Sequence, residues 1–82
     1  MRMSLRGVGV PIVTAYLVDL GGAALEAGLV VGDGWQARVW AGEPVQLAAL
    51  RIGVTEVEIS GEPGAVAQTA AELERKTIRG GG

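Results

Sequence analysis

The chain has 82 residues, a formal charge of −2, no cysteine and no histidine. One domain is the most that such a length builds, and it buries only roughly 60–65% of the surface its unfolded form exposes. Disulfides, zinc thiolates and redox pairs are excluded with cysteine, the ordinary neutral-pH base is missing with histidine, and the lack of a basic run argues against nucleic acid as a ligand.

Hydrophobic residues make up 49% of the chain, which argues against disorder. Yet only Tyr16, Trp35 and Trp40 are aromatic. A core of Val, Leu, Ile and Ala yields little area per residue, so a second copy would supply the missing burial. Six of the seven cations are Arg and Asn is absent, a thermophile-like composition. The longest charge-free stretch, residues 7–18, is too short to cross a bilayer, and no secretory signal is evident. A cytoplasmic protein with no membrane partner is expected.

In chain order, residues 7–20 are dense in β-branched side chains and read as a strand or a bent pair of strands, apolar on both faces and covered on two sides. Val13, Ala15 and Leu17 share one face, and Pro11 marks a bulge or an edge. Gly21-Gly22 breaks the run. Residues 23–27 suit a short helix, with Gly28 as left-handed terminator and Leu29 packing back on Leu25. Gly32-Asp33-Gly34 signals a tight turn. Residues 35–41 alternate, with Trp35, Ala37, Val39 and Ala41 on the inner face and Gln36, Arg38 and Trp40 on the outer. Gly42-Glu43-Pro44 turns the chain. Residues 45–52 suit either a helical turn or a strand. Residues 54–60 alternate again, with Thr55, Val57 and Ile59 inward and Glu56, Glu58 and Ser60 outward.

Residues 63–79 predict a helix from every local signal. Pro63 suits the first position, and Glu62 places negative charge at the positive end of the dipole. Val66, Ala70, Leu73 and Thr77 form one stripe, which Ala67 and Ile78 widen. Glu72 and Lys76 are an i,i+4 pair in the favourable order. Arg75, Lys76 and Arg79 sit at the negative end, and Gly80 stops the helix. A single domain over residues 1–79 with a flexible glycine tail at residues 80–82 is expected.

The chemistry-bearing patterns are thin. Gly7 and Gly9 begin a dinucleotide-type spacing, but Ile12 occupies its third glycine position. The turn at residues 61–64 lacks the Lys-Ser or Lys-Thr of a phosphate loop, so it reads as a plain strand-to-helix turn. Glu56 and Glu58 leave one face of a strand, as paired carboxylates do in cation sites and acid–base pairs, but nothing else supplies further ligands. The hydroxyls have no histidine to activate them. No catalytic residue, cofactor or metal site is expected. Trp40 beside Arg38 on a polar strand face has the composition enriched at protein interfaces; the alternatives are a core position or stacking on a ligand. Trp40, Arg38 and Tyr16 are the candidate interaction surface.

Two short resemblances follow. Ala27-Gly28-Leu29-Val30-Val31-Gly32-Asp33, with Gly42-Glu43-Pro44-Val45, resembles a segment of PDZ domains, although Ala41 stands where that family has Asn. This resemblance implies a peptide-binding module. Gly81-Gly82 looks like the tail of ubiquitin-like sulfur carriers, which implies a terminal carboxylate as the reactive group. Those carriers lead into the tail from a strand, whereas a helix is expected here, so that reading ranks last.

The pattern as a whole predicts an α+β two-layer sandwich. Its sheet is mostly antiparallel, and a C-terminal helix packs on one face, as in a ferredoxin-like fold or a truncated variant. The function expected is that of a small non-catalytic homo-oligomer, a dimer, with a structural or protein-interaction role and a protein partner the sequence does not name. Trp40 or Tyr16 is expected at the dimer contact. A small-ligand site at a subunit interface is the alternative.

Overall fold

The computed structural model describes residues 1–79. Seven strands and two helices follow in the order β1 (Arg2–Arg6), α1 (Val10–Asp19), β2 (Ala23–Glu26), β3 (Leu29–Gly32), β4 (Trp35–Ala41), β5 (Val45–Leu47), β6 (Leu50–Ile52), β7 (Val54–Gly61) and α2 (Pro63–Arg79). Five strands form one sheet in the order β1-β7-β4-β3-β2, and β5 and β6 form a separate hairpin. Every strand pair is antiparallel. Both helices lie on one face. Val13 and Leu17 of α1 and Val66, Ala70 and Leu73 of α2 share a buried cluster with Val30, Ala37, Val39, Val57 and Ile59 of the sheet.

The α+β class, the antiparallel sheet and the C-terminal helix on one face match the sequence pattern. The ferredoxin-like connection does not form. That unit alternates β-α-β-β-α-β; here β1 and α1 precede six strands in succession, and α2 comes after the last of them.

The two central strands follow from their alternation. Trp35, Ala37 and Val39 of β4 and Thr55, Val57 and Ile59 of β7 are buried, while Gln36, Arg38, Glu58 and Ser60 are exposed. Ala41 departs from its expected inner position and is exposed. α2 spans residues 63–79 as its signals require, and Val66, Ala70 and Leu73 are its buried stripe. The stripe widens through Thr69, which is buried, and not through Ala67 or Ile78, which are exposed. Glu62 caps the helix directly. Its carboxylate accepts the Ala65 N–H at 2.9 Å and the Gly64 N–H at 3.2 Å. The donors that a phosphate would need at this turn are therefore already satisfied by a negative charge. The expected Glu72–Lys76 pair gives way to other contacts. Glu72 accepts from the Gln68 amide at 3.2 Å, and Lys76 reaches Asp19 at 3.7 Å. The expected stop at Gly80 and the glycine tail lie outside the described residues.

Two local readings are corrected and a third is resolved. Residues 10–19 are helix, not strand. β-branched density in Val10, Ile12, Val13, Thr14 and Val18 reads as strand, but Pro11 lies at the helix start and Val13 and Leu17, four apart, are both fully buried. Packing on the sheet overrides a propensity worth only tenths of a kcal/mol per residue. Val13 and Leu17 therefore belong to the protomer's own core. Residues 23–26 are strand, not helix. They pair with β3 across a turn in which Gly28 has φ +78°, so the left-handed glycine joins two strands where a helix terminator was expected. Residues 45–52, ambiguous in sequence, are the β5–β6 hairpin.

Candidate functional site

The face of the sheet turned away from both helices is bare. Cross-strand register sets its pattern. Arg38 of β4 lies between Glu58 of β7 and Leu29 of β3, and Arg2 of β1 lies opposite Glu58 on its other side. One row thus alternates in charge across three strands, Arg2–Glu58–Arg38. In the next row Glu56 sits between Ser4 and Trp40. Opposite charges facing each other across strands stabilise a sheet surface without helix cover.

Trp40 is 36% exposed on this face. The Arg2 guanidinium lies 5.1 Å from its ring centroid, a cation–π distance. Arg2 also approaches the Glu56 carboxylate, Nε to Oε1, at 3.6 Å, and the Ser4 hydroxyl donates to that same oxygen at 2.7 Å. Glu56 is therefore a tied anion, held by a cation and a hydroxyl from the neighbouring strand. A shallow concavity of about 460 Å³ lies beside this group, bounded by Trp40, Glu43, Pro44 and Glu56.

Arg38 and Trp40 stand on the same face two residues apart, as their parity requires. Tyr16 is not part of that surface. It lies in the helix layer on the other side of the sheet, half-buried, with the Lys76 ammonium 5.6 Å from its ring centroid. The three residues therefore divide between two surfaces. Arg2 is the member that sequence reasoning missed. The period-two alternation of Arg2-Met3-Ser4-Leu5-Arg6, with Met3 and Leu5 inward, is the signal for β1, but it is brief and charged at both ends.

A second opening, a cleft of about 380 Å³, lies at the foot of α1 between Gly7, Gly9, Val10, Gly53 and Val54. At its base the Thr55 hydroxyl donates to the Val8 carbonyl. Among the described residues no titratable side chain lines this cleft; they offer it shape and backbone groups but no acid or base. Among the described residues, no three His, Cys, Asp or Glu side chains gather as a metal would need, and no helix is long and apolar enough to cross a membrane.

Fold and surface together define a small α+β protein with helices on one side of an antiparallel sheet and a free, charge-patterned face on the other. The family model described as "Archaeal MoaD-like protein" matches residues 1–82, and the chain belongs to that family. No curated protein matches it.

Proposed function

We propose that this protein is a non-catalytic protein-interaction module of the archaeal MoaD-like family, which binds another protein through the bare sheet face around Trp40. The observation that supports this reading is the setting of Trp40. A large aromatic ring stays partly exposed on an uncovered sheet, with Arg2 over it and Arg38 beside it. Trp and Arg are the residues that most often carry interface energy, and they do so where surrounding contacts exclude water. The ring would enter a pocket on the partner, and the Arg2–Glu56 pair would form part of the rim.

The test places a photo-activatable cross-linking residue at Gln36, exposed on the same face, and another at Gln68, exposed on α2. In cells, position 36 is expected to give a discrete adduct with a second protein, lost when Trp40→Ala is added; position 68 is expected to give none. An adduct that survives Trp40→Ala, or equal labelling from both positions, would overturn the reading.

A second reading is favoured by the family match and by Gly81-Gly82. A family of this name points to ubiquitin-like carriers and a β-grasp sheet. In that reading Gly82 carries the reactive carboxylate. Against it stands α2, which continues to Arg79. The carriers of that resemblance lead into their tail from a strand, not from a helix. Intact mass of the protein isolated from its source cells separates the readings: exchange of one oxygen for sulfur at the terminus establishes the carrier.

A further inference from the structure

The outer side of α1 is apolar and uncovered. The helix reads Val10-Pro11-Ile12-Val13-Thr14-Ala15-Tyr16-Leu17-Val18-Asp19, with Asp19 its sole charge. Val13 and Leu17 face the protomer's core. On the other side Ile12 is 51% exposed and Val18 41%, and Pro11 and Ala15 are exposed as well. A helix that is apolar all round belongs where both sides are covered.

The exposed stripe has a symmetry of its own. Ile12 and Val18 lie three residues on either side of Ala15. An antiparallel copy of α1 related by a twofold axis at Ala15 would set Ile12 against Val18 of the second copy, and Val18 against its Ile12. Ala15, the small residue at the centre, would let the two helices approach closely. A twofold interface requires this kind of self-complementary patch.

The helix ends supply the complementary charge. The N-cap of α1 is Gly9, with no side-chain cap and no acidic residue in the first turn. The N–H groups of Val10 and Ile12 thus lack intrahelical acceptors at the positive end of the dipole. At the other end Asp19 places a negative charge at the negative pole, where the last turn of α1 has no basic residue and Lys76 of α2 stands 3.7 Å away. The N-terminal end of α1 is thus uncompensated in the isolated protomer, while the Asp19 carboxylate remains 66% exposed beside Lys76 and open to a second contact. In the antiparallel pair each Asp19 lies against Pro11 of the other copy, beside that uncapped N-terminus, so its exposed carboxylate supplies the negative charge which that end lacks.

We infer that the protein forms a twofold homodimer through α1, with Ala15 at the axis, Ile12 packed on Val18 across it, and Asp19 closing the N-terminus of the opposing helix. This goes beyond the partner-binding reading and leaves the Trp40 face free for it. The expected homodimer thereby moves from Trp40 or Tyr16 to the outer stripe of α1. Ten residues of helix extend about 15 Å, so the contact falls at the small end of the interface range. The association is expected in the tens to hundreds of micromolar.

Sedimentation equilibrium of the full chain over that range tests it. Wild type is expected to approach twice the 8.4 kDa chain mass. Ala15→Arg, at an exposed position, is expected to hold the mass at one chain with an unchanged circular dichroism spectrum. If Ala15→Arg fails to fold, Ile12→Gln takes its place with the same expectation. Asp19→Asn is expected to weaken the dimer about three- to thirtyfold, the range for two symmetric charge–dipole contacts; Lys76→Ala, which frees Asp19 from the ammonium of its own protomer, is expected not to weaken it. A single-chain mass for wild type at every concentration would overturn the inference. So would a dimer that survives Ala15→Arg and is lost on Trp40→Ala. A Lys76→Ala effect as large as that of Asp19→Asn would overturn the helix-end contact. Failure of position 36 to give any adduct in a protein that retains Trp40, with an intact dimer, would instead count against the partner-binding reading alone.

Discussion

Leu73→Ala is expected to destabilise the protein by about 2–5 kcal/mol, the range for truncating a packed leucine. Leu73 has no exposed surface and lies in the cluster that joins α2 to the sheet. Its stripe otherwise offers smaller side chains, Val66, Ala70 and Thr69, so no other buried side chain of α2 is large enough to fill the space. A domain of this size has a total stability of roughly 4–12 kcal/mol, so the substitution removes a large share of it. Each kcal/mol shifts the melting temperature by about 4–8 °C at this chain length. Thermal melting followed by circular dichroism reads the effect. Ile78→Ala is the control: it lies on the same helix at 74% exposure and is expected to change stability by less than about 0.5 kcal/mol. Equal shifts for the two variants would show that α2 packs on another face.

Gly61→Ala is expected to cost about 2–6 kcal/mol. Gly61 ends β7 with φ +136°, a conformation that side chains rarely adopt, and such strain costs of order 1–3 kcal/mol. A Cβ there would also lie 2.4 Å from the Gly34 carbonyl oxygen and 2.9 Å from the Trp35 Cα. Both are backbone atoms of the adjoining turn and strand, so neither can rotate aside, and forced displacement in a packed region adds of order 1–3 kcal/mol. The same position carries the chain from the last strand into the cap of α2, where the Glu62 N–H donates to the Gly34 carbonyl at 2.8 Å. Chemical denaturation should show a lower midpoint with an unchanged slope. An unaltered midpoint would mean that this turn relaxes without cost.

What could be read from the sequence depended on whether local and tertiary preferences agreed. They agree at α2, where Pro63, Glu62, the buried stripe and the terminal cations all point to a helix. They agree at β4 and β7, where alternation is clean because one face meets helices and the other solvent. They conflict at α1. Its β-branched residues prefer strand, but the sheet needs a cover, and Val13 and Leu17 match the spacing of a helix laid across it. They conflict again at β2, where Ala23-Ala24-Leu25-Glu26 favours a helix in isolation but is drawn into pairing with β3. The β5–β6 turn was hidden because Ala48, not glycine, takes the positive φ of 54°. For the surface, Trp40 and Arg38 could be placed from parity alone. Arg2 could not, because its position over Trp40 depends on β1 crossing the whole length of the chain to lie beside β7.

That crossing also governs the order in which the molecule can be built. Among the described residues β1 has one strand neighbour, β7, and Ser4 and Glu56, bonded across that pair, are 52 positions apart. During synthesis the first strand emerges long before its only partner exists. β2, β3 and β4 can pair as a meander as soon as they are made, and α1, which packs against those three strands, can settle on them, but β1 cannot join the sheet until β7 is complete. Closure of so long a segment carries an entropic cost that falls on the folding rate. Until β7 inserts between β1 and β4, the apolar sides of Met3 and Leu5 have no strand to hold them, and the inner edge of β4 lies open. The nascent chain is most exposed to unwanted association in that interval, and the strand made last is the one that ends it.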